Sequence, residues 1–245
     1  MRNSISLGMI RTVSVLLACL SCGGPVLAAP VTSPARVFAI YDVLKGNIKV
    51  ATISETYTRT KDGYYIESVT KAHGLLAVFK PETIQVTSEG MLTARGLRPN
   101  TFIQQRKLDS ERNSRADFNW PASQITLNDR SGQRDLPLPE GAQDRLSVMY
   151  QFMFLELQNM KTYELHMSDG SKLGKYTYNI THGQSVKVPF GTYKATYLAS
   201  PPEPGENRTE VWLAAENANL PCRVDITDPD GGKLSQVLTQ FQFEP

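Results

Sequence analysis

The sequence predicts a mainly β protein in which one curved antiparallel β-sheet, a half-barrel-like meander, wraps around one central amphipathic-to-buried α-helix. Three observations predict it. Turn signals recur at Lys45-Gly46-Asn47, Lys61-Asp62-Gly63, Asp129 to Gly132, Ser168-Asp169-Gly170, His182-Gly183 and Asp230-Gly231-Gly232. The runs between them are rich in β-branched and aromatic residues, and their connections are too short for the helical crossovers that parallel strands need. One segment, Gln143 to Gln158, carries apolar residues at helical spacing.

The chain opens with Met1-Arg2 and Arg11, the apolar run Thr12 to Leu20, and the small-residue site Val26-Leu27-Ala28 before Ala29-Pro30. A charged n-region, a short h-region and an A-x-A-like site make a cleavable signal peptide over 1–28, with Ala29 as the neighbouring cleavage point. The apolar run is too short to span a hydrocarbon layer of about 30 Å, so no transmembrane span is expected after signal cleavage. The alternative processing uses Leu16-Leu17-Ala18-Cys19 as a lipoprotein box and leaves Cys19 acylated and membrane-anchored. The expected location is the periplasm, with a lipoprotein anchored through Cys19 as the alternative.

Residues 29–36 form a linker with Pro30 and Pro34, and 37–245 a single β-rich domain. Strand-like runs follow at Val37 to Val43, Ile48 to Thr60, Tyr64 to Thr70, Thr83 to Thr87 and Tyr193 to Leu198, with a short helical turn at Gly74 to Phe79. Asp169-Gly170 suits a two-residue hairpin turn, which would place Glu164 opposite Lys175, Tyr163 opposite Tyr176 and His166 opposite Leu173. In the expected helix, Leu146, Met149, Tyr150, Met153, Phe154 and Leu157 share one face, and Val148, Phe152 and Leu155 form a second. A helix apolar on two sides is surrounded, so the sheet is expected to curve around it. Met149, Tyr150 and Met153 are then the candidate lining of an apolar cavity. The last strand sets Val237, Phe241 and Phe243 on one face, suited to core or to a docking edge.

The formal charge of +2 includes Arg2 and Arg11, so the chain beyond the leader carries 24 basic against 24 acidic side chains. That balance argues against nucleic acid or an anionic membrane as main partner. Cys19 and Cys22 fall in the leader and leave Cys222 alone, so no intramolecular disulfide is expected there. Cys222 alternates with Leu220, Val224 and Ile226 and reads as a small core hydrophobe.

Catalytic constellations are not evident. The sequence holds no Gly-x-Ser-x-Gly elbow, no His-Glu-x-x-His and no glycine-rich phosphate loop, and His73, His166 and His182 are scattered. No cofactor and no metal are expected. Carboxylate pairs such as Asp144 with Glu140, or Glu67 with Glu89, would serve hydrolysis only at the separations that glycosidases need. Asp144 suits the N-cap of the expected helix.

Four segments stand out. They are Ser88-Glu89-Gly90; Gly96-Leu97-Arg98-Pro99 running into Phe102 and Arg106; Asp117-Phe118-Asn119-Trp120; and Gly141-Ala142-Gln143-Asp144-Arg145-Leu146-Ser147. With Gly74-Leu75, Glu210-Val211-Trp212-Leu213, Leu220-Pro221 and Asp230-Gly231-Gly232, they make the chain resemble the proteobacterial domain-of-unknown-function 3108 family from Tyr41 to Phe243. The resemblance implies an exported envelope protein. It brings no established activity and no catalytic residues, so Glu89, Gly96, Arg98, Pro99, Trp120, Gln143, Asp144 and Arg145 stand as motif residues without an assigned role.

The leading expectation is a non-catalytic periplasmic binding or assembly module for a lipid-like or other hydrophobic ligand. By analogy of fold alone, the expected half-barrel looks like those of periplasmic lipoprotein carriers. The alternatives are an envelope glycan hydrolase or modifying enzyme, and a structural partner of other envelope proteins.

Overall fold

Alternation of inward apolar and outward polar side chains carries most of the chain into strands. The computed structural model describes residues 33–79 and 81–245, and the leader and both of its processings lie outside them. The first half runs through β1 (Arg36–Lys45), β2 (Ile48–Arg59), β3 (Gly63–Ala72), the short helix α1 (Gly74–Phe79), β4 (Thr83–Thr93), β5 (Gly96–Arg106), β6 (Ser114–Asn119), β7 (Gln124–Asp129) and β8 (Gly132–Pro137). The second half holds β9 (Gln143–Asp144), α2 (Ser147–Gln151), β10 (Thr162–Ser168), β11 (Leu173–Val188), β12 (Gly191–Ala199), β13 (Arg208–Ala214), β14 (Leu220–Thr227) and β15 (Lys233–Glu244).

All fifteen strands form one open sheet in the order β8-β7-β6-β5-β4-β3-β2-β1-β15-β14-β13-β12-β11-β10-β9. Each half of the chain is a meander, and the two halves join where β1 pairs with β15. The C-terminal strand is therefore not a docking edge: β15 lies mid-sheet, with β1 on one side and β14 on the other. Register shifts at Ile40/Tyr41, Val43/Leu44, Glu89/Gly90 and Trp212/Leu213 bend the ladders, as bulges do wherever a sheet must coil. Inward rows such as Val37, Ala39 and Tyr41 on β1, or Ile125 and Leu127 on β7, are buried and fill the concave side.

The expected helix over Gln143 to Gln158 is corrected. It is a crossing segment, 138–161, that carries the chain from the β8 edge to the β10 edge: the two-residue β9, the five-residue α2, then single 3-10 turns at Phe152–Phe154 and Leu157–Asn159. The two apolar faces have another cause. Leu146 and Tyr150 pack into a core with Tyr57, Phe102 and Ile125, whereas Val148, Phe152 and Leu157 pack into a second core with Leu165, Leu198 and Leu213. A segment surrounded by sheet buries residues in every direction, and hydrophobic spacing cannot then separate a long helix from a compact turn-rich strap. β9 also pairs parallel to β10, an exception to the otherwise antiparallel sheet.

The hairpin register is corrected by two residues. Leu165 pairs with Tyr176, Glu164 with Thr177 and His166 with Lys175. Asp169 opens a four-residue loop, its Oδ1 accepting from the backbone N–H groups of Ser171 and Lys172 at 2.9 and 3.0 Å, so the turn is longer than the Asp-Gly dipeptide suggests. A two-residue shift leaves every side chain on its expected face. Glu164 and Lys175 still meet at 2.8 Å, on the diagonal.

Candidate functional site

The crossing segment grips the start of β5 with two glutamines. Gln143 donates from Nε2 to the Leu97 carbonyl (2.8 Å), and the Leu97 N–H donates to Gln151 Oε1 (2.7 Å). Gln151 Nε2 also donates to the Arg95 carbonyl (2.8 Å). Two side-chain amides thus satisfy backbone groups that a neighbouring strand would otherwise pair. Gly96 sits beneath them at φ +101°, where an added Cβ would fall 2.4 Å from Gln151 Oε1, so the position needs a residue without a side chain.

Beyond this grip, Arg98 and Trp120 come together. The guanidinium carbon of Arg98 lies 4.6 Å from the Trp120 ring centre, a cation–π arrangement, and the Trp120 indole N–H donates to the Pro99 carbonyl (2.7 Å). Arg98, Trp120 and Gln143 gather at one cleft of about 920 Å³, between the β5–β8 side of the sheet and the β10–β11 hairpin, with Gly96 beside it under the Gln151 amide. Leu97, Leu138 and Leu165 supply apolar wall, and Tyr163 and His166 line the hairpin side. The rim carries two ion pairs, Arg95 with Glu140 and Lys175 with Glu164. Arg98, by contrast, is exposed and stacked on the indole.

Asp144 lies on the inner side of the segment, fully buried. Its Oδ1 accepts from the N–H groups of Leu146 (2.9 Å) and Ser147 (2.7 Å), and its Oδ2 accepts from the Ser88 hydroxyl (2.6 Å). Ser88 in turn meets the Tyr64 hydroxyl at 3.2 Å. Burial raises the Asp144 pKa against these bonds. Arg145 points to another cavity, its guanidinium carbon 5.9 Å from the Phe102 ring centre. Glu89 is exposed on β4. Tyr150 is buried and stacks on Tyr57 at 5.5 Å, and Met149 and Met153 pack partly buried against the first core.

Sequence reasoning passed over Glu55, which is buried and accepts from Ser68 (3.0 Å) and Tyr150 (3.3 Å). Its signal was positional: Glu55 shares a strand face with Ala51 and Tyr57, both core residues. Leu138 and Leu165 reach the cleft through chain segments far apart in sequence, which spacing within a segment does not reveal.

The arrangement can hold an apolar group against Trp120 and the leucines while Arg98 faces a polar or anionic end. Asp144, Glu140 and Glu89 do not converge: one is buried, one is paired at the rim and one is exposed on β4. Among the described residues no group of three or more His, Cys, Asp or Glu is placed to hold a metal ion, and no helix is long and apolar enough to cross a membrane.

A family model described as "Protein of unknown function (DUF3108)" matches residues 38–239. No curated protein matches the sequence. Among solved structures, the chain is similar to a β-barrel-like protein of domain of unknown function DUF1849 from Brucella abortus, at 14% identity over 87% of this chain and 99% of that one, with a TM-score of 0.54. It is also matched to a putative lipoprotein from Parabacteroides distasonis (9% identity, 87% of this chain and 97% of that chain, TM-score 0.36) and to a hypothetical protein from Chlamydia trachomatis (8%, 87% and 90%, 0.37). The first likeness shows a shared β-barrel-like fold.

Proposed function

The chain belongs to the DUF3108 family, and we propose that it is a non-catalytic binding module of the bacterial periplasm that takes a lipid-like ligand in the cleft between β5–β8 and the β10–β11 hairpin. The observation that carries this reading is the Arg98–Trp120 stack at the wall of a cleft of about 920 Å³. A concave site with apolar walls and a few placed polar groups is the usual form of a small-molecule site. The leucines and the indole meet the hydrocarbon portion, and Arg98 meets the polar end. The concave interior is occupied by the crossing segment, so the ligand lies at the seam rather than in the middle of the sheet. Export rests on the leader-like first residues.

Trp120 reports on the site directly. The sequence holds two tryptophans, and Trp212 packs on Tyr197 at 4.9 Å on β13, so a Trp212→Phe protein leaves the cleft indole as the reporter. Titration with a lysophospholipid below its micellar concentration is expected to shift Trp120 emission to the blue and saturate. Arg98→Gln should weaken that response about tenfold, in line with loss of a charged contact. An unchanged spectrum, together with a clean unliganded mass by native mass spectrometry of protein taken from cells, would overturn the proposal.

A further inference from the structure

A second cavity, of about 330 Å³, lies where the inward row of β5 runs from core to rim. That row reads Phe102, Gln104, Arg106: fully buried aromatic, buried amide, half-buried guanidinium. Four arginines line the cavity, Arg106, Arg112, Arg130 and Arg145. Arg112 is engaged with Asp109 at 3.2 Å. Among the described residues, the side chains of Arg106, Arg130 and Arg145 make no ion pair and no hydrogen bond.

Three acids line the cavity, of which Asp129 is paired and Asp169 partly engaged. Both oxygens of Asp129 accept from Arg134, at 3.1 and 3.0 Å. Asp169 Oδ1 caps its own loop, and the residue attracts Arg145 without pairing with it. Glu111 is exposed. Two polar atoms are also sealed from water with no partner: Arg106 Nε, and Oε1 of Gln104, a side chain only 8% exposed. Both atoms are closed to the cavity as they stand, so they mark an unmet polar cost beside it rather than contacts for an occupant. Arg145 is exposed on the cavity wall, and the protein packed near it lowers its pKa, with Asp169 opposing and Arg106 adding repulsion. Like charges held together in a confined space favour entry of an anion.

We infer that this cavity is a binding site for a phosphate group, held by the guanidiniums of Arg106, Arg130 and Arg145. Planar guanidinium forks match phosphate oxygens two at a time, which a lysine cannot do. The site is separate from the Arg98–Trp120 cleft and does not depend on the proposal made for it.

The test uses the full chain after leader removal, at constant ionic strength in chloride, with four probes: inorganic phosphate, glycerol 1-phosphate, phosphatidylglycerol vesicles and phosphatidylcholine vesicles. Binding is read by calorimetry for the soluble probes and by co-sedimentation for the vesicles. Saturable binding of the soluble phosphates assigns a soluble ligand. Retention on phosphatidylglycerol but not phosphatidylcholine vesicles, with no response to the soluble probes, assigns a lipid headgroup. In either case Arg130→Gln, on an exposed turn where folding is not at stake, and Arg106→Gln should each weaken binding about tenfold or more, while Lys45→Gln at the far end of β1 leaves it unchanged. Silence with all four probes, or equal binding by wild type and Arg130→Gln, overturns the inference. Trp120 emission, followed in parallel, keeps this outcome distinct from that of the cleft.

Discussion

The Tyr150 hydroxyl donates to Glu55 Oε2 across 3.3 Å and ties the crossing segment to a strand 95 residues earlier in the chain. Ser68 holds the other carboxylate oxygen at 3.0 Å. Burial raises the Glu55 pKa, and Ser68, Tyr150 and Arg145 only partly oppose it. The folded protein therefore holds the neutral acid more readily than the unfolded chain does. Its contribution to stability is complete below the unfolded value of about 4.5 and is lost as pH rises through the folded value. Asp144 has the same sign. Glu55→Gln should flatten the fall in stability from pH 4 to pH 7 by about 1.4 kcal/mol for each unit of the raised pKa. Urea unfolding at several pH values checks this, and identical slopes for wild type and variant would sink it.

Asp144 accepts three bonds in a buried place, so truncation strands three donors. Asp144→Ala should cost about 3 kcal/mol, and Ser88→Ala about 1 kcal/mol. A double-mutant cycle should return a coupling well above zero, since Ser88 Oγ and Asp144 Oδ2 are in contact at 2.6 Å. Additive losses would count against the contact.

The tip of the β10–β11 hairpin seats on β6. Ser114 donates to the Asp169 carbonyl at 2.8 Å, and a Cβ on Gly170 would lie 2.7 Å from Ser114 Oγ and 2.9 Å from the Arg115 nitrogen. Gly170 also has φ +83°. Gly170→Ala should therefore cost about 2 kcal/mol and speed amide exchange at residues 114 to 116 before the rest of β6. Unchanged exchange there would contradict this seating.

Cys222 is buried, with its thiol 3.3 Å from the Trp212 carbonyl and its pKa pushed up to about 12 by burial. Native protein made without residues 1–28 should not react with a thiol-exchange reagent at pH 8, and one thiol per chain should appear on adding denaturant. Prompt reaction without denaturant would show the strand face is wrongly placed.

Much of the sheet was legible because period-2 alternation and turn chemistry act over a few residues. Gly46, Gly132, Gly170 and Gly231 take positive φ at turns the sequence marks, whereas Gly183, marked as a turn, takes it at a bulge inside β11. The crossing segment was not legible. Its residues answer to two cores built from strands on both sides, and Gln143 and Gln151 are spent on the backbone of Leu97, 46 and 54 residues away. The cleft was half legible: Gly96, Arg98, Trp120 and Gln143 stood out as motif residues, but the contacts that bring them together are tertiary. Asp144 accepts from the N–H of Ser147, the first residue of α2, but the N-cap position itself falls to Leu146, and the bond of Asp144 to Ser88 was hidden for the same reason.

The order of the strands has a mechanical consequence. The first and last strands of the described residues, β1 and β15, lie side by side, where the ladder is long, and the opposite margin between β8 and β9 is fastened by side chains: Gln143 on Leu97, Ser114 on Asp169, Arg134 on Ser171. Such a body is bound like a book, with a strong spine and a clasped fore-edge. Parting the clasps costs a handful of bonds worth about 1 kcal/mol each, whereas entry through a closed barrel would tear a ladder along its length.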